Sequence, residues 1–329
     1  MRLGITLPVI PLGARECVDL SVDMIKLGYE EIWMAEVGAH DSYALAAAAA
    51  QANPGVRIGT GVVPAQTRSP MVHAMAAAVL DQLTGGNFVL GIGISSENIV
   101  AGWAGLPFDK PLTRMREHVE VLRRIFAGQK VDYDGETLSV SKYRLQTRLN
   151  RPVPIYMGAL NPGMLRLAGR VADGVIVNMV PEHALGQVLG EVRAGALDAG
   201  RDPSEIEVVA RLHVALVDDP ERGQNLARLG FGAYLATSVY NRFFRWIGFE
   251  DEAAQISTAF AAGDREGVAA AMTPEICDAV ALISDADGLR ARLRAYADAG
   301  VDVASLNPIT PSPEDQRRTL EVCASALDD

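Results

Sequence analysis

"VRIGTGVVPAQTRSPMVHAMAAAVLDQLTGGNFVLGIGI", Val56 to Ile94, is the stretch that decides the fold. Residues 88–94 are an unbroken apolar run and 56–63 are mostly apolar, the mark of strands buried on both faces. Between them, 69–86 has helical spacing and ends on two glycines. Strand, helix and strand in that order predict a parallel pair with a covering helix.

The same beat runs outward in both directions. Upstream, strands are expected at 2–8 and 30–36, with helices at 14–29 and 41–53. Downstream, a helix at 112–128 is followed by residues 130–146, which alternate polar and apolar around Asp134-Gly135 and read as a hairpin insertion. Strands resume at 153–159, 173–179, 206–217 and 301–307, with helices at 162–172, 181–200, 285–299 and 313–327. Residues 218–283 show several short helical patterns and no clear strand, a helical insertion. Eight strands and eight main helices predict an α/β protein, a (β/α)8 TIM barrel. One domain spans 1–329, with a β-hairpin insertion after helix four (130–146) and a helical insertion after strand seven (218–283). A doubly wound sheet would want a glycine fingerprint after its first strand, and "GITLPVIPLG" has none.

Composition narrows the function. The 329 residues are 49% hydrophobic, enough for a sizeable core, and the formal net charge is −11. No Lys/Arg block stands out, which argues against a nucleic-acid partner or an anionic membrane surface. Cys17, Cys277 and Cys323 form no C-x-x-C pair and no disulfide framework. The N-terminal "MRLGITLPVIPLG" is too short and too broken by proline for a signal segment. No run approaches the roughly 20 apolar residues of a membrane span, so the expectation is a cytoplasmic protein.

In such a barrel, chemistry gathers where the strands end at their C-termini. Those ends hold Glu36, Gly61 to Pro64, Gly93 to Asn98, Gly158 to Asn161, Asn178, His213 and Asn307. Glycines inside an apolar strand mark a bulge, a close backbone approach or tight packing. Ser95, Ser96 and Asn98 could donate to a ligand or cap the next turn. Asn161 and Pro162 open a helix, leaving the N–H groups of Gly163 and Met164 as an anion site or as plain capping. The five histidines, at 40, 73, 118, 183 and 213, lack metal-ligand spacing, and no G-x-S-x-G occurs. His213 reads as a satisfied core histidine.

Several segments together resemble the bacterial-luciferase-like superfamily, and within it the coenzyme F420-dependent oxidoreductases of the methylenetetrahydromethanopterin reductase type. They are "GYEEIWMAE", "VRIGTGVVPAQTRSP", "LDQLTGGNFVLGIGIS", "GWAGLPFDKPLTRMREHVEVLRRIF" and "PIYMGALNPGMLRLAGRVADGVIVN". The resemblance implies a deazaflavin across the C-terminal mouth, F420, with FMN as the alternative. It implies a cis peptide at Gly61–Val62 under the ring and Glu36 close to it. Ser95, Ser96 and Asn98, and Gly158, Ala159, Asn161 and Gly163, would contact ring, side chain or phosphate. The sugar-phosphate dehydrogenase branch has an Asp-His pair after strand two and a Glu after the strand-four glycines. This chain has Glu36-Val37 and Ser96, with Glu97 one place off, so that branch's substrate does not carry over.

The expected chemistry is hydride transfer between the deazaflavin C5 and a small organic substrate. Glu36 is the first acid candidate, because desolvation beside a ring favours the protonated carboxyl that a general acid requires. His40 is the second, if its loop turns inward. The alternatives are an FMN-dependent monooxygenase and a non-catalytic F420-binding protein. Trp103, Phe243, Phe244 and Trp246 suggest a roof for an apolar or planar substrate, or simply packing of the insertion. Ala-rich helices 41–53 and 71–79 suit a homodimer, or the barrel wall.

Overall fold

The computed structural model describes residues 1–327. Among them eight parallel strands close on themselves: β1 (Arg2–Leu7), β2 (Glu31–Met34), β3 (Arg57–Thr60), β4 (Phe88–Gly93), β5 (Ile155–Gly158), β6 (Gly174–Asn178), β7 (Glu207–Leu216) and β8 (Val303–Pro308). The circle is completed where β8 pairs with β1, with Leu306 opposite Ile5. Eight main helices alternate with them: α1 (Ala14–Lys26), α2 (Ser42–Ala52), α3 (Pro70–Leu83), α4 (Pro111–Phe126), α5 (Pro162–Val171), α6 (Leu185–Asp198), α7 (Ala286–Asp298) and α8 (Pro313–Ala324). Their starts carry the expected chemistry: Asp41, Ser69, Asp285 and Ser312 each accept a first-turn N–H. No helix is long and apolar enough to cross a membrane among the described residues.

Two cores follow from strand parity, since successive side chains take opposite faces. Val208, Ala210, Leu212 and Val214 of β7 belong to the large core beneath the helices. Val209 belongs instead to a small interior cluster with Trp33, Val89, Tyr156, Ile176 and Val303. Beneath this layer the N-terminal end of the barrel is plugged by ions. Glu31, with a side chain 2% exposed, meets Arg2 at 3.2 Å and Arg57 at 3.1 Å. Arg57 also binds Glu207 at 2.7 Å and Tyr156 Oη at 2.7 Å, and Trp33 Nε1 donates to Glu31 at 2.8 Å. Five strands are tied together there, and each buried charge has a partner.

The glycines of β3 and β4 are explained by what faces them. A Cβ on Gly59 would overlap the six-membered ring of Trp33, and one on Gly91 would overlap the carbonyl of Thr60. Thr60 Oγ1 accepts from Gly91 N at 2.8 Å and donates to Gly91 O at 2.7 Å, in place of a ladder pair. Residues 61–62 therefore bulge, and Val63–Pro64 rejoins β4.

The hairpin forms from 131–134 and 139–143, gripped by Glu117, which accepts from Glu136 N at 2.8 Å and Thr137 N at 2.9 Å. The second insertion packs helices Pro220–Leu235, Ser238–Trp246, Glu250–Ala261, Arg265–Ala271 and Pro274–Val280. Contrary to the sequence expectation, it returns through a strand, Leu282–Ser284, paired with the end of β7. Three residues are too few to show a period. Phe243 and Phe244 are fully buried against each other, ring centroids 5.5 Å apart, as the insertion's own core. They are not a roof.

Gly59→Ala is expected to cost about 1–3 kcal/mol by overpacking. In a Trp33→Leu background the added methyl should cost far less. Equal penalties in a chemical-denaturation double-mutant cycle would refute the account of Gly59.

Candidate active site at the C-terminal mouth

The half of the mouth formed by β2 to β5 is built from backbone. The Gly61–Val62 peptide is cis. The Val62 side chain turns into the barrel and packs on the interior cluster. It can do so because the neighbouring strands end in glycine: a Cβ on Gly93 would lie 2.6 Å from Val62 Cγ2, and one on Gly158 would lie 3.2 Å from Cγ1. The bulge thus offers a peptide edge rather than a side chain.

Glu36, at the end of β2, is tied across to the loop after β3. Arg68 Nη1 donates to its Oε1 at 2.6 Å and Nη2 to its Oε2 at 3.0 Å, while Ser42 N donates to Oε2 at 3.1 Å. Arg68 also reaches Asp41 at 2.5 Å and lies 5.2 Å from the Tyr43 ring centroid. The two carboxylates push its guanidinium further above its already high range. Asp41 is also the cap of α2, accepting from Ala44 N at 2.9 Å. His40 is half-buried, and its Nδ1 has no hydrogen-bond partner.

The loops after β4 and β5 are less uniform. Ser95 has a left-handed backbone, φ 63°. Ser96 Oγ accepts a long bond from Ile99 N at 3.4 Å, in the first residues of the π-helical turn Asn98–Trp103. Asn98 is exposed, and Trp103 packs over Gly38 in the loop after β2. Ala159 is buried, its N–H bound to Ile176 O. Two expectations about α5 need correction. Asn161 does not cap it with its side chain: Nδ2 donates to Val239 O at 3.1 Å in the helical insertion, and Oδ1 is buried without a partner. The N–H of Met164 is not free either, because it donates to Asn161 O at 3.0 Å. Gly163 remains exposed at the first turn.

The other half of the mouth, β6 to β8, is polar. Asn307 Nδ2 donates to His213 Nδ1 at 2.9 Å, and His213 Nε2 donates to Asn178 Oδ1 at 3.1 Å. Asn178 Nδ2 donates to Tyr240 Oη at 2.7 Å, from the helical insertion. These roles follow from satisfying every member of the chain at once. They fix His213 as a neutral imidazole, and burial, with Arg211 nearby, pushes its pKa well down. The Tyr240 hydroxyl proton, by contrast, is donated to no other described residue. Burial raises the Tyr240 pKa, while the Asn178 hydrogen bond and the charge of Arg211 pull it back. Among the described residues no group of His, Cys, Asp or Glu could hold a metal ion.

The profile of the luciferase-like monooxygenases matches residues 2–303. The chain belongs to that family. A 5,10-methylenetetrahydromethanopterin reductase from Methanolobus tindarius is 29% identical over 291 residues, 87% of this chain and 88% of the relative. An F420-dependent glucose-6-phosphate dehydrogenase from Nakamurella multipartita is 30% identical over 250 residues, 72% of this chain and 73% of the relative. In structure, the F420-dependent tetrahydromethanopterin reductase from Methanopyrus kandleri superposes with a TM-score of 0.83 at 23% identity, covering 99% of this chain and 98% of the other. That last likeness concerns the fold.

Within this luciferase-like frame, Val37 stands where the resemblance puts the sugar-phosphate dehydrogenases' histidine, and it is 40% exposed. Three participants at the mouth went unassigned in the sequence. Arg68 lay in a quoted loop without a role, Arg211 passed as an ordinary strand residue, and Tyr240 was hidden in the insertion. Only strand parity counted from Val209 signals Arg211. Nothing local signals Tyr240.

Buried histidines give the site's surroundings a pH dependence. His73 donates to Ala65 O at 3.1 Å and accepts from Tyr43 Oη at 2.6 Å, and burial lowers its pKa to about 4. His213 is lowered in the same direction. Below the unfolded value of 6.5 the unfolded chain takes up protons that the folded chain refuses. The stabilisation is therefore whole above that pH and is lost as pH falls toward 4. Thermal denaturation should show this fall, and His73→Gln/His213→Gln should flatten part of it. An unaltered slope would contradict the burial argument.

Proposed function

We propose that this chain is an F420-dependent oxidoreductase that reduces an electron-poor C=C, C=N or C=O bond. The observation that carries the reading is the bulge at 61–62, its Val62 turned into the barrel against glycines 93 and 158, in a luciferase-like barrel. It leaves a flat backbone edge against which a planar ring can lie. Polar atoms left unpaired after β2 and β5, Asn161 Oδ1, Ser42 Oγ and His40 Nδ1, together with the exposed first turn at Gly163, fit a ligand with hydrogen-bonding edges and an anionic tail. Reduced deazaflavin, when bound, supplies a hydride at C5.

The protein's share is orientation, exclusion of water and a proton. Glu36, gripped by Arg68 and the Ser42 N–H, serves as an acceptor that fixes the strand-two loop beside the ring. Ser95, Ser96, Asn98, Gly158, Ala159 and Gly163 would line the ring and tail. Tyr240 holds an unshared hydroxyl proton and is oriented by the chain from Asn307. It delivers that proton to the substrate atom left electron-rich by hydride addition, completing a two-electron reduction. His40, half-buried with an unpaired nitrogen, is the competing donor on the cofactor side.

A titration of F420, FMN and NADPH tests the reading. F420 should bind in the micromolar range or tighter, and FMN at least about tenfold more weakly. Failure of F420 to bind sinks it. With reduced F420 and a panel of enones, imines and ketones, Tyr240→Phe should cut kcat/KM by about 10²-fold or more at unchanged F420 affinity. Glu36→Gln should act mainly on F420 affinity. A loss at His40→Gln instead would move the proton source to the strand-two loop.

We also propose a homodimer. Met71, Met75 and Val79 form one face of α3 and are 40%, 44% and 51% exposed. An apolar stripe of that kind asks for a covering partner. Sedimentation should show a dimer that Met75→Glu/Val79→Glu converts to monomer; a monomeric wild type would end the idea.

A further inference from the structure

We infer that Arg211 is the recognition point for a carboxylate on the substrate, held in the β6–β8 half of the mouth beside the bond to be reduced. The inference rests on the proposed oxidoreductase reading for its second half only: that the carboxylate belongs to the substrate.

The argument begins with parity. Val209 is in the interior cluster, so Arg211, two residues on, points into the barrel one layer higher. It stands in register with Asn178 on one side and Ser305 on the other. The floor below is filled by Trp33 and the ion network, so the part of Arg211 that stays accessible opens toward the mouth.

Its lack of a partner sets it apart. Arg2 and Arg57, on the same interior, are matched to Glu31 and Glu207, and Arg68 at the mouth is matched to Glu36 and Asp41. Arg211 has no carboxylate and no hydrogen bond among the described residues, and its Nε is buried and unpaired. Burial lowers its pKa, and the groups beside it that oppose this are two phenols, Tyr234 and Tyr240, with no carboxylate among them. A chain of net charge −11 with 41 acidic residues places none of them here. An unpaired interior cation costs stability, and it persists where a ligand completes it.

The donor set names the ligand. A guanidinium is a planar fork matched to two oxygens in one plane. Tyr240 stands on the same side: its Oη accepts from Asn178 Nδ2 at 2.7 Å, and Asn178 is in register with Arg211. The Arg211 fork holds the carboxylate, and the single Tyr240 O–H proton is kept for the reacting atom beside it. An unsaturated acid or a 2-oxo acid meets both demands. In the first, hydride adds to the carbon distal to the carboxylate and the Tyr240 proton goes to the proximal carbon. In the second, hydride adds to the carbonyl carbon and the proton goes to its oxygen. Either way the substrate gains two electrons and the deazaflavin is left oxidised.

The test uses the ligand-free full chain and simple probes. Benzoate should raise the wild-type melting temperature and its neutral analogue benzamide should not. Arg211→Lys should keep the response and Arg211→Met should lose it, while Arg211→Met without probe should melt no lower than wild type. F420 affinity of Arg211→Met should stay within about twofold of wild type. No response of the wild type to benzoate or acetate, or an equal response in Arg211→Met, overturns the inference. Response to phosphate but not to carboxylates overturns the carboxylate assignment. A tenfold loss of F420 affinity in Arg211→Met overturns the placement on the substrate side. If F420 binds neither protein while benzoate still separates them, the cofactor reading fails and the anion site stands.

Discussion

Everything in this molecule is arranged around the filling of a narrow tube. An eight-stranded barrel has room for a few inward side chains per layer, and here Trp33 takes most of one layer. Its ring sets the rule for its neighbours: β3 must be glycine at 59. Its indole N–H must find Glu31, and Glu31 in turn must find Arg2 and Arg57. With the floor closed by ions and the middle by Trp33, Tyr156 and aliphatic side chains, only the upper end can admit a ligand.

That upper end is divided by the chemistry of its walls. Strands β3, β4 and β5 end at glycines 61, 93 and 158, and the carboxylate after β2, Glu36, is already held by Arg68. From β6 to β8 they end in Asn178, Arg211, His213 and Asn307. A planar group and a polar group can therefore lie side by side without competing for the same contacts. The helical insertion contributes to both halves through neighbouring residues: the Val239 carbonyl holds Asn161, and the Tyr240 hydroxyl meets Asn178.

The barrel was legible because it is written in local periods. Unbroken apolar runs, helix caps and glycine stops lie within a dozen residues of one another, and the strand count followed from them. The bulge at Gly61–Val62 was legible from the resemblance and from glycines out of place in a strand. Partners were not legible. That Glu36 would meet Arg68 depends on two loops 32 residues apart. That Phe243 and Phe244 would turn away from the mouth while Tyr240 turned toward it depends on how five short helices pack. A three-residue strand such as Leu282–Ser284 shows no period at all, and an arginine in β7 looks like any polar strand residue until its neighbours are known.

The pairing of β1 with β8 carries a consequence for how the chain is made. Arg2 lies opposite Val303, and Arg2 also needs Glu207 for its charge. On a ribosome β1 would wait, with one edge unpaired, until β8 had emerged. Closure of the ring is thus a late, long-range event. Until then the apolar β1 and β2 are the segments most exposed to wrong partners, a natural point of engagement for a chaperone.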